Sequence, residues 1–173
     1  KKKKKIKDIL TSDNFPWFYI PNISDGTDTR ELKNEYGFYH LLINDKGQGN
    51  SNYTSFFRPM LHQIMDTTNT NKILKARCDM TTNKGIEKVH DTHVDFVDQT
   101  SYKSFIFYVN ETDGDTTLFN ERYTSDFKDR TQTIMKKVQP KENRLLVFEG
   151  DLLHTGSSPI NYSNRILINC NFI

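Results

Sequence analysis

The chain has 173 residues, most simply one domain, and that length suffices for a substantial core. Its formal net charge is +2, but Lys1 to Lys5 supply five positive charges, so the remainder stands at −3 and offers no cationic footprint for a nucleic-acid backbone. Two cysteines, Cys78 and Cys170, exclude a disulfide framework and lack zinc-type spacing, and no apolar run is long enough to span a bilayer. The expectation is a soluble, intracellular (cytoplasmic) protein with reduced, buried thiols.

The lysine run reads as a solvated terminus. After it, Phe15-Pro16-Trp17-Phe18-Tyr19 is an aromatic cluster broken by proline, expected to pack on the outside of a sheet, with a lip over an active-site mouth as the alternative. Cap-type residues from Ser24, followed by Arg30-Glu31-Leu32-Lys33, predict a short helix. Phe38 to Ile43 suits a strand or a helix end, and the glycines and amides of Asn44 to Asn50 make a loop. Between Ser51 and Asp66, the residues Phe57, Met60, Leu61, Ile64 and Met65 recur at helical spacing, which predicts a helix covering one sheet, with Pro59 kinking it or marking a first turn.

From Leu74 onward the period changes. Leu74, Ala76, Cys78 and Met80 alternate with Lys75, Arg77 and Asp79, as in a half-buried strand, and Lys103 to Asn110 is nearly continuous in β-favouring residues. Thr112-Asp113-Gly114-Asp115 is a turn into Thr116 to Phe119, and Glu121 to Arg130 reads as an exposed loop. Thr133 to Val138 and Arg144 to Phe148 are two strands whose link, Pro140 to Asn143, suggests a hairpin. Many short strands separated by turns, with twelve Phe and eight Tyr to pack them, indicate a sandwich or barrel. The single domain, 1–173, therefore divides into helical or irregular support at 1–71 and a strand-rich core at 72–173.

The chemistry concentrates at Val89-His90-Asp91-Thr92-His93-Val94-Asp95-Phe96. On a strand, side chains two apart share a face, so His93 and Asp95 can grip one ion. His154, isolated ahead of the last strand, is the third candidate. Two neutral imidazoles and a carboxylate make the facial triad that suits non-haem Fe(II) and leaves positions open. His90, at odd spacing from His93, faces away, whereas Asp91 shares the face of His93 and is the rival carboxylate. His40 and His62 have no partner motif. In the last strand Ile166, Ile168, Cys170 and Phe172 fall on one face and Arg165, Leu167, Asn169 and Asn171 on the other, and a polar face turned inward implies a hydrated or ligand-filled interior.

In order, His93-Val94-Asp95, Ile106-Phe107-Tyr108-Val109-Asn110, Gly114-Asp115-Thr116-Thr117-Leu118-Phe119, Val138 to Phe148, His154 and Arg165 resemble the Fe(II)- and 2-oxoglutarate-dependent dioxygenases of the prolyl-4-hydroxylase-like branch, over about Ile73 to Phe172. The resemblance implies a mainly β (α+β) double-stranded β-helix, or jelly roll, with N-terminal helices packed on one sheet. It implies His93, Asp95 and His154 as iron ligands, Arg165 on the distal carboxylate of 2-oxoglutarate and Tyr108 as a hydrogen-bond donor to it, with Asn169 a further candidate for cosubstrate contact. The implied partners are O2, 2-oxoglutarate and a protein side chain (prolyl or other) or a small molecule, with ascorbate as an accessory reductant. Where prolyl hydroxylases often carry a tyrosine ahead of the first histidine, this chain reads Cys78-Asp79-Met80. Related halogenases lack the carboxylate ligand, so Asp95 favours hydroxylation, and Asn171, six positions after Arg165, stands where base demethylases carry a second arginine. Formal charges of Fe(II), Asp95, dianionic 2-oxoglutarate and Arg165 close at zero, as a buried cluster requires. A binding module without catalysis and a zinc hydrolase on the same three ligands are the readings from other classes.

Overall fold

The computed structural model describes residues 2–23, 36–99, 101–127 and 130–173. The helix expected within 24–34 lies outside these residues. In chain order the described elements are α1 (Lys2–Leu10), β1 (Phe18–Ile20), β2 (Gly37–Ile43), α2 (Thr54–Thr68), β3 (Ile73–Thr82), β4 (Lys88–Val89), β5 (Lys103–Tyr108), β6 (Thr116–Arg122), β7 (Ile134–Val138), β8 (Leu145–Glu149), β9 (Leu152–Ser158) and β10 (Asn164–Phe172). They form two antiparallel sheets, a six-stranded one ordered β1-β2-β3-β10-β5-β8 and a four-stranded one ordered β4-β9-β6-β7. This is the jelly roll, with helices on one face.

The expected alternation along β10 builds two cores. Ile166, Ile168, Cys170 and Phe172 join Ala76, Cys78, Phe105 and Phe107 on the outer face of the large sheet, and Phe57, Leu61 and Ile64 of α2 with Ile6 and Leu10 of α1 cover them. Of the aromatic cluster expected to pack outside the sheet, Phe15 is buried there with Trp17 packed against it, whereas Phe18 and Tyr19 belong to edge strand β1 and are exposed. Between the sheets lies a smaller core of Ile106, Tyr108, Leu118, Val138, Phe148, Leu152 and Leu167. Cys78 and Cys170 are free and buried on neighbouring strands, where burial pushes both thiols up.

The structure refines or corrects four expectations. The lysine-rich start is helical, because lysine is a good helix former and Ile6 and Leu10, four apart, give the helix an apolar stripe to bury. The segment before residue 72 is more than helical support, since β1 and β2 extend the large sheet. Pro59 sits inside α2, which nevertheless runs as one helix over Thr54–Thr68. And β7 and β8 are not a hairpin, because β7 pairs with β6 in one sheet and β8 with β5 in the other, so the link between them crosses the sandwich. Among the described residues no helix is long and apolar enough to cross a membrane.

Candidate metal centre

β10 and β5 present Arg165, Leu167, Asn169, Asn171, Ser104, Ile106 and Tyr108 to the space between the sheets, in registers that set Asn169 opposite Ile106 and Asn171 opposite Ser104. From the small sheet, β9 brings His154 inward. The chain then delivers His93 and Asp95 without a continuous strand: β4 ends at Val89, and His93 returns as an isolated bridge to His154. Reciprocal backbone bonds of 2.9 and 3.0 Å lock that bridge. It sets the two imidazole rings 4.6 Å apart. The residues after it bend rather than run on as a strand, so the shared face of His93 and Asp95 comes from one bridge and a bend.

One donor atom each from His93, Asp95 and His154 lies within 4.8 Å of the others. The tautomers are set by carbonyl groups, which can only accept. His93 Nδ1 donates to Asp91 O at 2.9 Å and His154 Nδ1 donates to Leu152 O at 3.0 Å, so in the neutral rings both Nε2 lone pairs are available to a metal. Burial, then repulsion from His93, holds His154 down at about 4, and at neutral pH it is an uncharged imidazole, the form that can bind a cation. For Asp95, burial acts to raise the pKa, but attraction from His154 and His93 and the hydrogen bond from Asn171 outweigh it and hold the carboxyl at about 2. Asp91 serves through its backbone, and His90 is buried against Ser158 at 3.2 Å; neither joins the donor cluster.

Arg165 is buried on the same face of β10 and opposite Thr81 in register. Its Nη2 donates to Thr116 Oγ1 at 2.8 Å, and the guanidinium carbon lies 5.8 Å from the Tyr108 ring centroid. Tyr108 O–H donates to the same Thr116 Oγ1 at 2.7 Å, filling both lone pairs of that hydroxyl. Gly156 completes the cradle, since a Cβ there would meet Arg165 Nη1 at 3.4 Å. Burial lowers the Arg165 pKa, opposed by Tyr108 and Asp79.

The predicted residues face the same inter-sheet space, but Asn169 is turned toward Asp95, with its Nδ2 donating to Oδ1 at 3.2 Å, and Tyr108 gives its O–H to Thr116 where a bond to the cosubstrate was expected. Ser104, Asn171, Thr116 and Gly156 escaped the sequence reading as parts of the site. Asn171 was visible on the polar face of the last strand, whereas Ser104 lay within an apolar run and carried no signal.

The site passes a test of fit for iron and a dicarboxylate. Among the described residues, the buried Arg165 Nε, Thr81 Oγ1 and Asn169 Oδ1 find no hydrogen-bond partner, an arrangement that costs about 1–3 kcal/mol per group unless something binds there. A buried guanidinium calls for an anion, and two neutral imidazoles with one carboxylate form a donor set for a divalent metal with open positions.

No protein-family model matches the sequence, and no curated protein does. Among solved structures the chain is similar to an oxidoreductase of the 2OG-Fe(II) oxygenase family from Burkholderia pseudomallei, at 11% identity and a TM-score of 0.61, covering 91% of this chain and 72% of that one. It is also similar to SnoK, a non-heme alpha ketoglutarate dependent carbocyclase from nogalamycin biosynthesis, at 8% identity and a TM-score of 0.55, covering 79% of this chain and 62% of that one, so the chain spans less than two thirds of SnoK. A Pseudomonas putida prolyl-4-hydroxylase aligns at 14% identity and a TM-score of 0.48, over 79% of this chain and 71% of its own. At these identities the likeness to the first two establishes the fold alone.

Proposed function

We propose that the protein is an Fe(II)- and 2-oxoglutarate-dependent oxygenase that hydroxylates an unactivated C–H bond of a polypeptide side chain, prolyl or other. The observation that carries this reading is the meeting of His93, Asp95 and His154 donor atoms within 4.8 Å on the inter-sheet face that also holds the buried Arg165. In it, His93 Nε2, His154 Nε2 and Asp95 hold the iron, and Arg165 pairs with the distal carboxylate of 2-oxoglutarate. When bound, iron, 2-oxoglutarate and O2 supply the oxidising power, and 2-oxoglutarate leaves as succinate and CO2.

The chain's own residues position these groups and exclude water. Thr116 and Tyr108 fix the guanidinium plane, so that its fork is aimed before the dicarboxylate arrives. Ile106, Leu167 and Phe148 wall the same space with apolar surface. A substrate path is suggested by one row across the large sheet, where Phe18 stands opposite Tyr39, Tyr39 opposite Asp79 and Asp79 opposite Leu167. Its outer end opens on a groove lined by Pro16, Phe18, Tyr39, Leu41, Asn50 and Tyr53, and an open groove with aromatic walls suits an extended chain better than a small enclosed metabolite. Ascorbate forms no part of this proposal.

The test is anaerobic addition of Fe(II) and 2-oxoglutarate to metal-free protein. A weak visible charge-transfer band of the chelate is expected, strongly reduced in Asp95→Ala and Arg165→Ala. A wild-type protein that binds Fe(II) but stays colourless at saturating 2-oxoglutarate overturns the oxygenase reading and favours a hydrolytic or purely binding role.

A further inference from the structure

We infer that Ser104 and Asn171 are positioning residues that close one oxygen of Asp95, leaving only Oδ1 to a metal. This rests on the proposed metal-binding role of the triad. A carboxylate oxygen carries two lone pairs. Asp95 Oδ2 accepts from Asn171 Nδ2 at 2.7 Å and from Ser104 Oγ at 3.1 Å, so both of its lone pairs are in use. Among the described residues, Asp95 Oδ1 accepts from Asn169 Nδ2 alone, at 3.2 Å, and keeps one lone pair for a cation. The two closing donors are themselves tied, since Asn171 Nδ2 also lies 3.0 Å from Ser104 Oγ. Both sit in the buried interior, at 2% and 0% exposure.

The register explains why these two residues act together. Asn171 and Ser104 are direct cross-strand partners on β10 and β5, so a single rung of the large sheet delivers both donors to the same oxygen. Asp95 itself hangs from the bend after the His93 bridge and has no strand of its own to orient it. Without the rung its carboxylate could rotate to chelate an ion through both oxygens, occupying one position that a single-oxygen ligand leaves open. The rung thus sets how many ligand positions the protein keeps free.

The measurement is a count of coordinated waters on Mn(II), used as an EPR-active probe. In water enriched in oxygen-17, each coordinated water broadens the Mn(II) resonance, and the broadening reports their number. Ser104→Ala/Asn171→Leu should hold one coordinated water fewer than wild type, because Oδ2 joins Oδ1 on the ion. If the double variant fails to fold, Ser104→Ala alone deletes one hydroxyl and one closing donor, and the same loss of a water is expected. An unchanged count in a folded variant overturns the inference while leaving the triad intact. Wild-type protein that binds no Mn(II), or binds it equally well as His93→Ala, removes the metal reading itself and this inference with it.

Discussion

Each imidazole of the cluster spends Nδ1 on a nearby carbonyl, and the burial that goes with this arrangement has a thermodynamic consequence for His154 that is separate from catalysis. An unfolded histidine takes up its proton near 6.5, whereas burial and the neighbouring His93 delay protonation of folded His154 to about 4. Between these values the unfolded chain binds a proton that the folded chain refuses, so stability is full above about 6.5 and falls as pH drops toward 4. A shift from 6.5 to about 4 corresponds to ~3 kcal/mol lost across that window. Urea unfolding of metal-free protein at several pH values should show the slope, and His154→Gln should flatten it by about that amount. Equal slopes in the two proteins would mean that His154 is protonated freely in the fold. Asp95 works in the lower window: its carboxyl, held at about 2 against an ordinary 3.8, contributes stability above 3.8 that disappears as pH falls through 2.

At the level of elements, the segment carrying Asp95 is secured by packing and not by a ladder. Phe96 N–H donates to Tyr102 Oη at 3.1 Å, the two rings meet edge to face at 5.5 Å, and Gly150 N–H donates to Tyr102 O at 2.7 Å. Gly150 is required by contact and not by its backbone angles, since a Cβ there would lie 2.2 Å from the Tyr102 ring. Gly150→Ala should displace Tyr102, destabilise the fold by ~1–3 kcal/mol and weaken Mn(II) binding by loosening Asp95. Gly49→Ala, whose Cβ meets nothing closer than 3.5 Å, serves as the control and should do neither. A Gly150→Ala protein with wild-type metal affinity would show that Asp95 is held from β5 and β10 alone. The same segment marks the limit of what the amino-acid sequence disclosed. The pair His93 and Asp95 was legible, but the strand inferred beneath it is one bridge and a bend, because a two-residue period is satisfied by either. The link between β7 and β8 misled for a similar reason: Pro140 and Asn143, the latter at φ 65°, make a good turn whichever sheets they join, and local turn chemistry does not name a strand's partner.

Across the whole molecule, the large sheet separates two functions by the alternation of its side chains. Its outer face carries the main apolar core under α1 and α2, and its inner face carries Arg165, Asn169, Asn171 and Ser104. That division was readable in β10, where from Ile166 onward one face is apolar and the other mostly polar, but less so in β5, where Tyr108 was picked out and Ser104 hides among apolar neighbours. Because a sheet's covalent backbone and hydrogen-bond ladder lie between the faces, loss of packing on one side is expected to change global stability without re-aiming donors on the other. Phe57, fully buried at 0% exposure on α2, allows the two to be measured apart. Phe57→Ala should cost ~3–5 kcal/mol in urea unfolding, the range for an aromatic lost from a tight core. Mn(II) affinity of the folded fraction should stay at the wild-type value, since β3, β5 and β10 hold their register from strand pairing. A fall in metal affinity in step with the lost stability would mean that the helices shape the inner face through the sheet, and the site would then have to be treated as one cooperative unit with the core that supports it.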